Sequence, residues 1–145
     1  PHREVFDTAI GQLTDFLDYA QEKYPIDHNQ LYLLGFSQGA ILSMSLSLLL
    51  GSRIKGIVAL SGYIPKFMHE RDDTNVTGLA AFVSHGTYDQ VLPYEWGLAA
   101  QAFLKEKGAF VTFRTYSEGH AVSQDNQEDY KKWLLEQLSK KEGEK

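Results

Sequence analysis

The sequence contains no cysteine, which excludes disulfide scaffolds, cysteine nucleophiles and thiolate metal sites. It also lacks any apolar run near the roughly 18 residues that a membrane span requires. Basic residues are the minority, with 14 lysines and arginines against 19 aspartates and glutamates. The resulting net charge of −5 disfavours nucleic acid or an anionic membrane as the main partner. Glycine-rich phosphate-binding motifs and metalloprotease motifs are absent, so we expect neither a cofactor nor a metal.

The length of 145 residues corresponds to one domain that can bury a substantial core. Hydrophobic residues make up 43% of the chain and charged residues 23%, an ordinary globular balance. We predict a domain over residues 1–139 and a disordered tail over 140–145. The expected compartment is the cytoplasm.

Short apolar runs alternate with helical patterns along the chain. The runs at 31–36, 56–60 and 79–84 are almost continuously apolar, which is typical of strands buried on both faces. The run at 110–116 alternates apolar and polar residues, which indicates an edge strand. This alternation predicts an α/β fold in three layers, a parallel sheet flanked by helices. The helical patterns cover residues 4–20, 40–50, 93–107 and 123–138.

Three further expectations concern burial. The polar stretch 65–78 is predicted as an exposed loop that can include a helical turn, and Trp96 and Trp133 are predicted in the core. The apolar composition of the strand at 31–36 predicts a central position in the sheet. If the strands are ordered as they follow one another in the chain, however, this strand lies at an edge. Because an apolar edge promotes aggregation, we expect an upstream segment, a partner or a second copy of the chain to cover it.

A candidate nucleophile lies in Gly35-Phe36-Ser37-Gln38-Gly39, which matches the pattern G-x-S-x-G. The pattern follows an apolar strand and opens a helix, the context that a nucleophile elbow requires. The helix N-terminus favours a developing negative charge beside the serine. Ser37 is therefore the predicted nucleophile.

A serine needs a base, and the base needs an orienting acid. His120 directly follows the predicted strand 110–116, and Asp89 follows the predicted strand 79–84. The chain order of Ser37, Asp89 and His120 is that of α/β-hydrolases and differs from the orders of chymotrypsin-like and subtilisin-like proteases.

Each candidate residue also has an interpretation without a catalytic role. Ser37 can be an inert serine in a glycine-flanked turn, Asp89 can cap the helix that starts near Pro93, and His120 can be a surface histidine. His85, at the end of the third strand, is predicted to support the turn that follows rather than to act directly.

Four segments then occur in a recognisable order: Leu33-Leu34-Gly35-Phe36-Ser37-Gln38-Gly39, Leu60-Ser61-Gly62-Tyr63-Ile64-Pro65, His85-Gly86-Thr87-Tyr88-Asp89-Gln90-Val91-Leu92-Pro93 and Gly119-His120. Over residues 4–138 the chain resembles the phospholipase/carboxylesterase family of α/β-hydrolases, which includes bacterial carboxylesterases and acyl-protein thioesterases. The resemblance implies the same roles for Ser37, Asp89 and His120, and it gives the backbone N–H of Gln38 to the oxyanion hole. Members of this family begin with several strands and a His-Gly-rich loop that supplies a second oxyanion donor. The resemblance therefore implies the C-terminal portion of the fold, without the N-terminal strands and with one of the two donors.

These observations predict a serine carboxylesterase that hydrolyses small or short-acyl carboxylic esters through an acyl-enzyme. The expected partner is a small-molecule ester, and the within-class alternatives are an acyl-thioesterase and a lysophospholipase. An alternative from another class is a catalytically weak or inactive hydrolase fragment that serves as a binding or assembly module. From their loop positions, the residues expected to contact the acyl group are Tyr63, Ile64, Val91 and Leu92.

Overall fold

Strands and helices alternate through the residues described by the structure, a computed structural model covering 3–25, 27 and 30–143. The chain starts with one long helix and then repeats strand and helix four times. A 3-10 turn at Gly51–Arg53 follows the second helix. In chain order the elements are α1 (Arg3–Lys23), β1 (Tyr32–Phe36), α2 (Gln38–Leu50), β2 (Gly56–Leu60), α3 (Lys66–His69), β3 (Ala80–Gly86), α4 (Tyr94–Glu106), β4 (Phe110–Tyr116) and α5 (Gln124–Gly143).

The four strands form one parallel sheet in the order β1-β2-β3-β4. Leu34 pairs with Val58, and Val58 pairs with Phe82, so these three side chains point to the same face of the sheet. Because the strands are parallel, their carboxyl ends meet at one edge. The predicted α/β fold with a parallel sheet is confirmed, and β4 is an edge strand as its alternating pattern predicted.

Helices cover the two faces of the sheet unequally. On one face α2 and α4 pack against the sheet and α1 packs against α2, around a large core that includes Met44, Ile57, Val83 and Leu104. The helix α2 is buried along most of its length, as its apolar sequence predicted. On the other face the apolar contacts come from α5, where Trp133 packs against Phe82. None of the helices in the described part of the chain is long and apolar enough to cross a membrane.

The strand β1 departs from its sequence prediction. It lies at an edge of the sheet, and Leu34 is 53% exposed on the face that α5 shares with Val58 and Phe82. Phe36 lies on the same face and is also exposed. The prediction that both faces of this strand are buried is therefore wrong, because the contacts of α5 centre on β2 and β3 and leave that face of β1 open. What covers this edge stays a prediction.

Two other expectations need correction. Within the stretch 65–78, predicted as an exposed loop, Met68 of α3 and Val76 are fully buried, so apolar anchors fix this segment to the core. Trp96 is 46% exposed rather than in the core, whereas Trp133 is buried as predicted. The helix α5 extends to Gly143, and the domain boundary at 139 stays a prediction. The last two residues of the predicted tail lie outside the described residues.

Alanine substitutions at two glycines test how closely the backbone packs in the turn between β1 and α2. A Cβ at Gly35 would lie 2.3 Å from the carbonyl carbon and oxygen of Gly39, whereas a Cβ at Gly39 would meet nothing within 4 Å. We expect Gly35→Ala to lower the free energy of unfolding by about 1–3 kcal/mol or more, because backbone atoms must move. Gly39→Ala, in the first turn of α2, should leave stability unchanged or raise it by up to about 1 kcal/mol. Urea denaturation of both variants measures this difference, and equal effects would contradict it.

Candidate active site

Ser37 occupies the turn between β1 and α2 in an unusual backbone conformation. Its φ is 58° and its ψ is −115°, outside the regions that non-glycine residues normally adopt. The Ser37 N–H donates a 2.8 Å hydrogen bond to the Leu60 carbonyl at the end of β2, which fixes the turn to the sheet. Such conformations cost on the order of 1–3 kcal/mol and persist only where surrounding contacts impose them. This turn presents the Ser37 hydroxyl, half-buried, at the carboxyl edge of the sheet.

Asp89 lies in the loop after β3, and its carboxylate is buried. Oδ1 accepts hydrogen bonds from the backbone N–H groups of Val91 at 2.9 Å and Leu92 at 2.8 Å. Burial opposes ionisation of Asp89, but hydrogen bonds from His120 and from these two N–H groups outweigh it and lower the pKa of the carboxyl below its ordinary value. Asp89 is therefore a fixed, ionised carboxylate whose second oxygen is directed at His120.

His120 joins the other two side chains. Its Nδ1 lies 2.8 Å from Asp89 Oδ2, and its Nε2 lies 2.8 Å from Ser37 Oγ. An ionised carboxylate only accepts hydrogen bonds, so Nδ1 carries the proton and Nε2 is free to accept from the Ser37 hydroxyl. The ring also packs against Phe36, with 4.9 Å between ring centroids. The sequence analysis missed this contact of Phe36, although its position next to Ser37 on an edge strand could have indicated it.

The loop that carries His120 must cross the sheet to make these contacts. Ser37 follows β1 and His120 follows β4, and four adjacent strands place these edges about 14 Å apart. The loop passes over the end of β3, where the Tyr88 N–H donates a 3.0 Å hydrogen bond to the Glu118 carbonyl. A Cβ on Gly86 would lie 2.3 Å from that same oxygen, so only glycine permits the crossing.

The remaining predicted site residues separate into two groups. Gln38 is the first residue of α2, so its backbone N–H has no carbonyl within the helix to bind and is available to an anion. Tyr63 and Ile64 line a pocket of about 370 Å³, where the ring of Tyr63 meets Trp96 edge-on at 5.0 Å. Burial raises the pKa of the Tyr63 phenol, which favours its neutral form. The other residues that line this pocket are Lys66, His69, Ala99 and Ala100.

Val91 and Leu92 are not among the residues that line this pocket. Val91 is 63% exposed, and the Leu92 side chain packs against the core. The structure instead gives these two residues a backbone contact, the N–H groups that hold Asp89. The sequence analysis missed the pocket position of Trp96, because its helical spacing resembled that of a core residue.

Comparisons with known proteins identify the family of this chain. A family model described as phospholipase/carboxylesterase matches residues 2–138. The chain belongs to the phospholipase/carboxylesterase family. The resemblance inferred from the four sequence segments is thereby confirmed.

Individual relatives of this phospholipase/carboxylesterase chain are longer than it is. The chain is 30% identical over 136 residues to acyl-protein thioesterase 1 of Yarrowia lipolytica, covering 90% of this chain and 59% of that protein. It is 31% identical to carboxylesterase SOBER1 of Arabidopsis thaliana, covering 74% of this chain and 49% of that protein. The crystal structure of the Bacillus cereus carboxylesterase superposes with a TM-score of 0.82 at 25% identity, covering 93% of this chain and 63% of that one. The chain thus spans less than two thirds of the length of these relatives.

The pKa of Asp89 gives a testable pH dependence of stability. A carboxyl whose pKa is lowered by folding stabilises the folded state above its unfolded pKa of about 3.9, and this stabilisation is lost as the pH falls through the lower folded value. Asp89→Asn removes the titrating group. We expect the free energy of unfolding of the variant to fall less than that of the wild type between about pH 5 and pH 2. Urea denaturation across this range measures the difference, and parallel curves would contradict the assignment.

Proposed function

We propose that this chain of the phospholipase/carboxylesterase family hydrolyses small or short-acyl carboxylic esters through an acyl-enzyme formed on Ser37. The observation that carries the proposal is the hydrogen-bond chain from the Ser37 hydroxyl through His120 to the buried carboxylate of Asp89. Both of its bonds are 2.8 Å long, within the range expected of a nucleophile, its base and the orienting acid. The names of its relatives, which include carboxylesterases, support the same reaction class.

In the first half-reaction, Ser37 Oγ attacks the ester carbonyl carbon while His120 Nε2 takes the hydroxyl proton. The carbonyl oxygen becomes an oxyanion, which the backbone N–H of Gln38 stabilises at the N-terminus of α2. As the C–O bond to the alcohol breaks, the imidazolium of His120 returns the proton to the leaving oxygen. The acyl group remains on Ser37 as an ester.

In the second half-reaction, water replaces the alcohol. His120 takes a proton from the water, the resulting nucleophile attacks the acyl carbon, and the proton passes to Ser37 Oγ as the acid leaves. Asp89 keeps the imidazole in the tautomer with Nδ1 protonated and stabilises the imidazolium at both stages. The carboxylate can do so because it is ionised and held by two N–H groups.

The pocket beside the site provides a place for the acyl group. Its residues Tyr63 and Ile64 follow Gly62, and a Cβ on Gly62 would lie 2.6 Å from the Ala40 side chain in the first turn of α2. Gly62 thus links the pocket residues to the helix that Ser37 precedes, although Ser37, Asp89 and His120 do not themselves line the pocket. Its lining is largely apolar, as an alkyl chain requires. Val91 and Leu92 stay predicted substrate contacts, although neither lines this pocket.

The first test is covalent labelling of the nucleophile. A fluorophosphonate probe should add once to the wild-type chain and not to Ser37→Ala, as read by intact-mass spectrometry. Labelling needs a single attack rather than turnover, so it detects an assembled site even where turnover is slow. Ser61→Ala is a matched control, because Ser61 also has a φ of 58° directly after a strand. An adduct that survives in Ser37→Ala would contradict the proposed mechanism.

Further measurements separate the proposed esterase from the thioesterase and from the binding or assembly module. Relatives named acyl-protein thioesterase favour thioesters as the second substrate class, and a thioester hydrolysed faster than the oxygen ester of the same acyl chain would establish it. The exposed face of β1 at Leu34 favours the alternative of a binding or assembly module. The absence of any adduct, together with concentration-dependent self-association in size-exclusion chromatography, would support the module over the esterase.

A second test addresses the acyl pocket. Ala99 lines the pocket and is exposed, so Ala99→Phe should fill part of it without disturbing the core. We expect kcat/KM to fall about tenfold for p-nitrophenyl hexanoate and to change little for p-nitrophenyl acetate. Leu98→Phe is the control, because Leu98 is exposed on the same helix but is not among the residues lining the pocket. Equal losses for both esters would mean that the acyl chain binds elsewhere.

A further inference from the structure

A second histidine lies behind the proposed active site and is almost completely enclosed. His85 is the next-to-last residue of β3. It is 1% exposed, and its side chain has no exposed area. Its ring is enclosed by α4: a Cβ on Gly97 would lie 2.3 Å from His85 Nδ1, and Tyr94 meets the ring edge-on at 6.1 Å. A titratable side chain is rarely buried to this extent without polar contacts.

The polar contacts of His85 all involve the loop that holds Asp89. Nε2 lies 2.7 Å from the Leu92 carbonyl oxygen, within hydrogen-bond distance, and 3.4 Å from Asp89 Oδ2. Oδ2 is the oxygen that accepts from His120. The residue whose carbonyl His85 binds also supplies, through its own N–H, one of the two bonds to Asp89 Oδ1. His85 therefore lies near both oxygens of the Asp89 carboxylate. It is close to Oδ2 directly, and it is linked to Oδ1 through the peptide of Leu92.

The geometry also fixes which ring nitrogen carries the proton. A carbonyl oxygen only accepts, so the 2.7 Å contact with Leu92 requires a proton on Nε2. Nδ1 is buried without a hydrogen-bond partner among the described residues, and the backbone of Gly97 occupies the space beside it. A second proton on Nδ1 would have no acceptor. The assigned form is the neutral ring with its proton on Nε2.

We infer that His85 is a positioning residue of the proposed active site, which orients the Asp89 carboxylate toward His120 through its Nε2–H. This inference rests on the proposed function and deepens it. The Nε2–H fixes the peptide of Leu92, and that peptide fixes Oδ1 of Asp89. The same Nε2 also lies 3.4 Å from Oδ2, where the partial positive charge of its N–H favours the carboxylate. Without this donor the loop can rotate the carboxylate away from His120 Nδ1, and a shift of about 1 Å in such a contact can cost about 100-fold in rate.

Three substitutions separate a positioning role from simple packing. His85→Gln keeps an amide N–H near the place of Nε2, His85→Asn keeps the amide but ends one methylene short, and His85→Leu keeps volume without a donor. We expect kcat for p-nitrophenyl butyrate within about threefold of the wild type in the Gln variant. We expect kcat about 10- to 100-fold lower in the Asn and Leu variants, with KM within about twofold. Equal kcat values for the Gln and Leu variants would overturn the inference.

A control variant accounts for losses of stability alone. Asn126 is buried and donates a 3.0 Å hydrogen bond to Ser84 Oγ, and it takes no part in the hydrogen bonds that join Ser37, Asp89 and His120. Asn126→Leu should lower the melting temperature and leave kcat at 25 °C unchanged. If this variant loses kcat in proportion to stability, as the His85 variants do, then His85 has only a packing role and the inference fails.

Nuclear magnetic resonance tests the inference without turnover and without relying on any one variant. In the ¹⁵N-labelled wild type, His85 should show a protonated Nε2 and an unprotonated Nδ1, and a proton on Nδ1 instead would overturn the assignment. The low-field signal of the His120 Nδ1 proton should persist in His85→Gln and broaden in His85→Leu. An unchanged signal in His85→Leu would also overturn it. Failure of the proposed function is distinguishable, because it would appear as an unlabelled Ser37 with these resonances intact.

Discussion

The contact between Ser37 and His120 depends on nearly every other feature of this fold. The two residues follow opposite edge strands, yet the Ser37 Oγ and His120 Nε2 atoms lie 2.8 Å apart. Parallel strands bring all the connecting loops to one edge, and the missing side chain at Gly86 lets the last loop cross β3. The buried carboxylate of Asp89, which follows that central strand, then holds the imidazole from the middle of the crossing.

The features that follow from local sequence were predictable. Each strand was recognisable as a short apolar run, and its alternation with helical patterns led to a parallel sheet because a helix between two strands provides the long crossover that parallel strands require. The serine turn was recognisable because its glycines are required within five residues of chain, and a Cβ at Gly35 would meet the backbone of Gly39. The order of Ser37, Asp89 and His120 needed only the positions of the strand ends.

The predictions that were wrong concern burial and contacts. These depend on which other elements cover a residue, and the local sequence does not encode that. Leu34 belongs to an apolar strand, but it is exposed because the contacts of α5 centre on β2 and β3. Trp96 has the spacing of a core residue, but it lies in the first turn of α4, where its side chain borders a pocket. Leu92 was predicted to contact the substrate through its side chain. In the structure its backbone N–H binds Asp89, and its backbone carbonyl accepts from His85. Backbone contacts of this kind leave no signal in residue type.

The crossing of the sheet also has a consequence for folding. Ser37 and His120 are 83 positions apart, and contacts with such large sequence separation form late because a long loop must close first. Without β4 in place, the Tyr88 N–H lacks the Glu118 carbonyl that it binds, and His120 is absent from between Ser37 and Asp89. The hydrogen-bond chain is therefore complete only when all four strands are in register. It therefore reports the register of the whole sheet, whereas the contact of Trp133 with Phe82 reports the packing of one face.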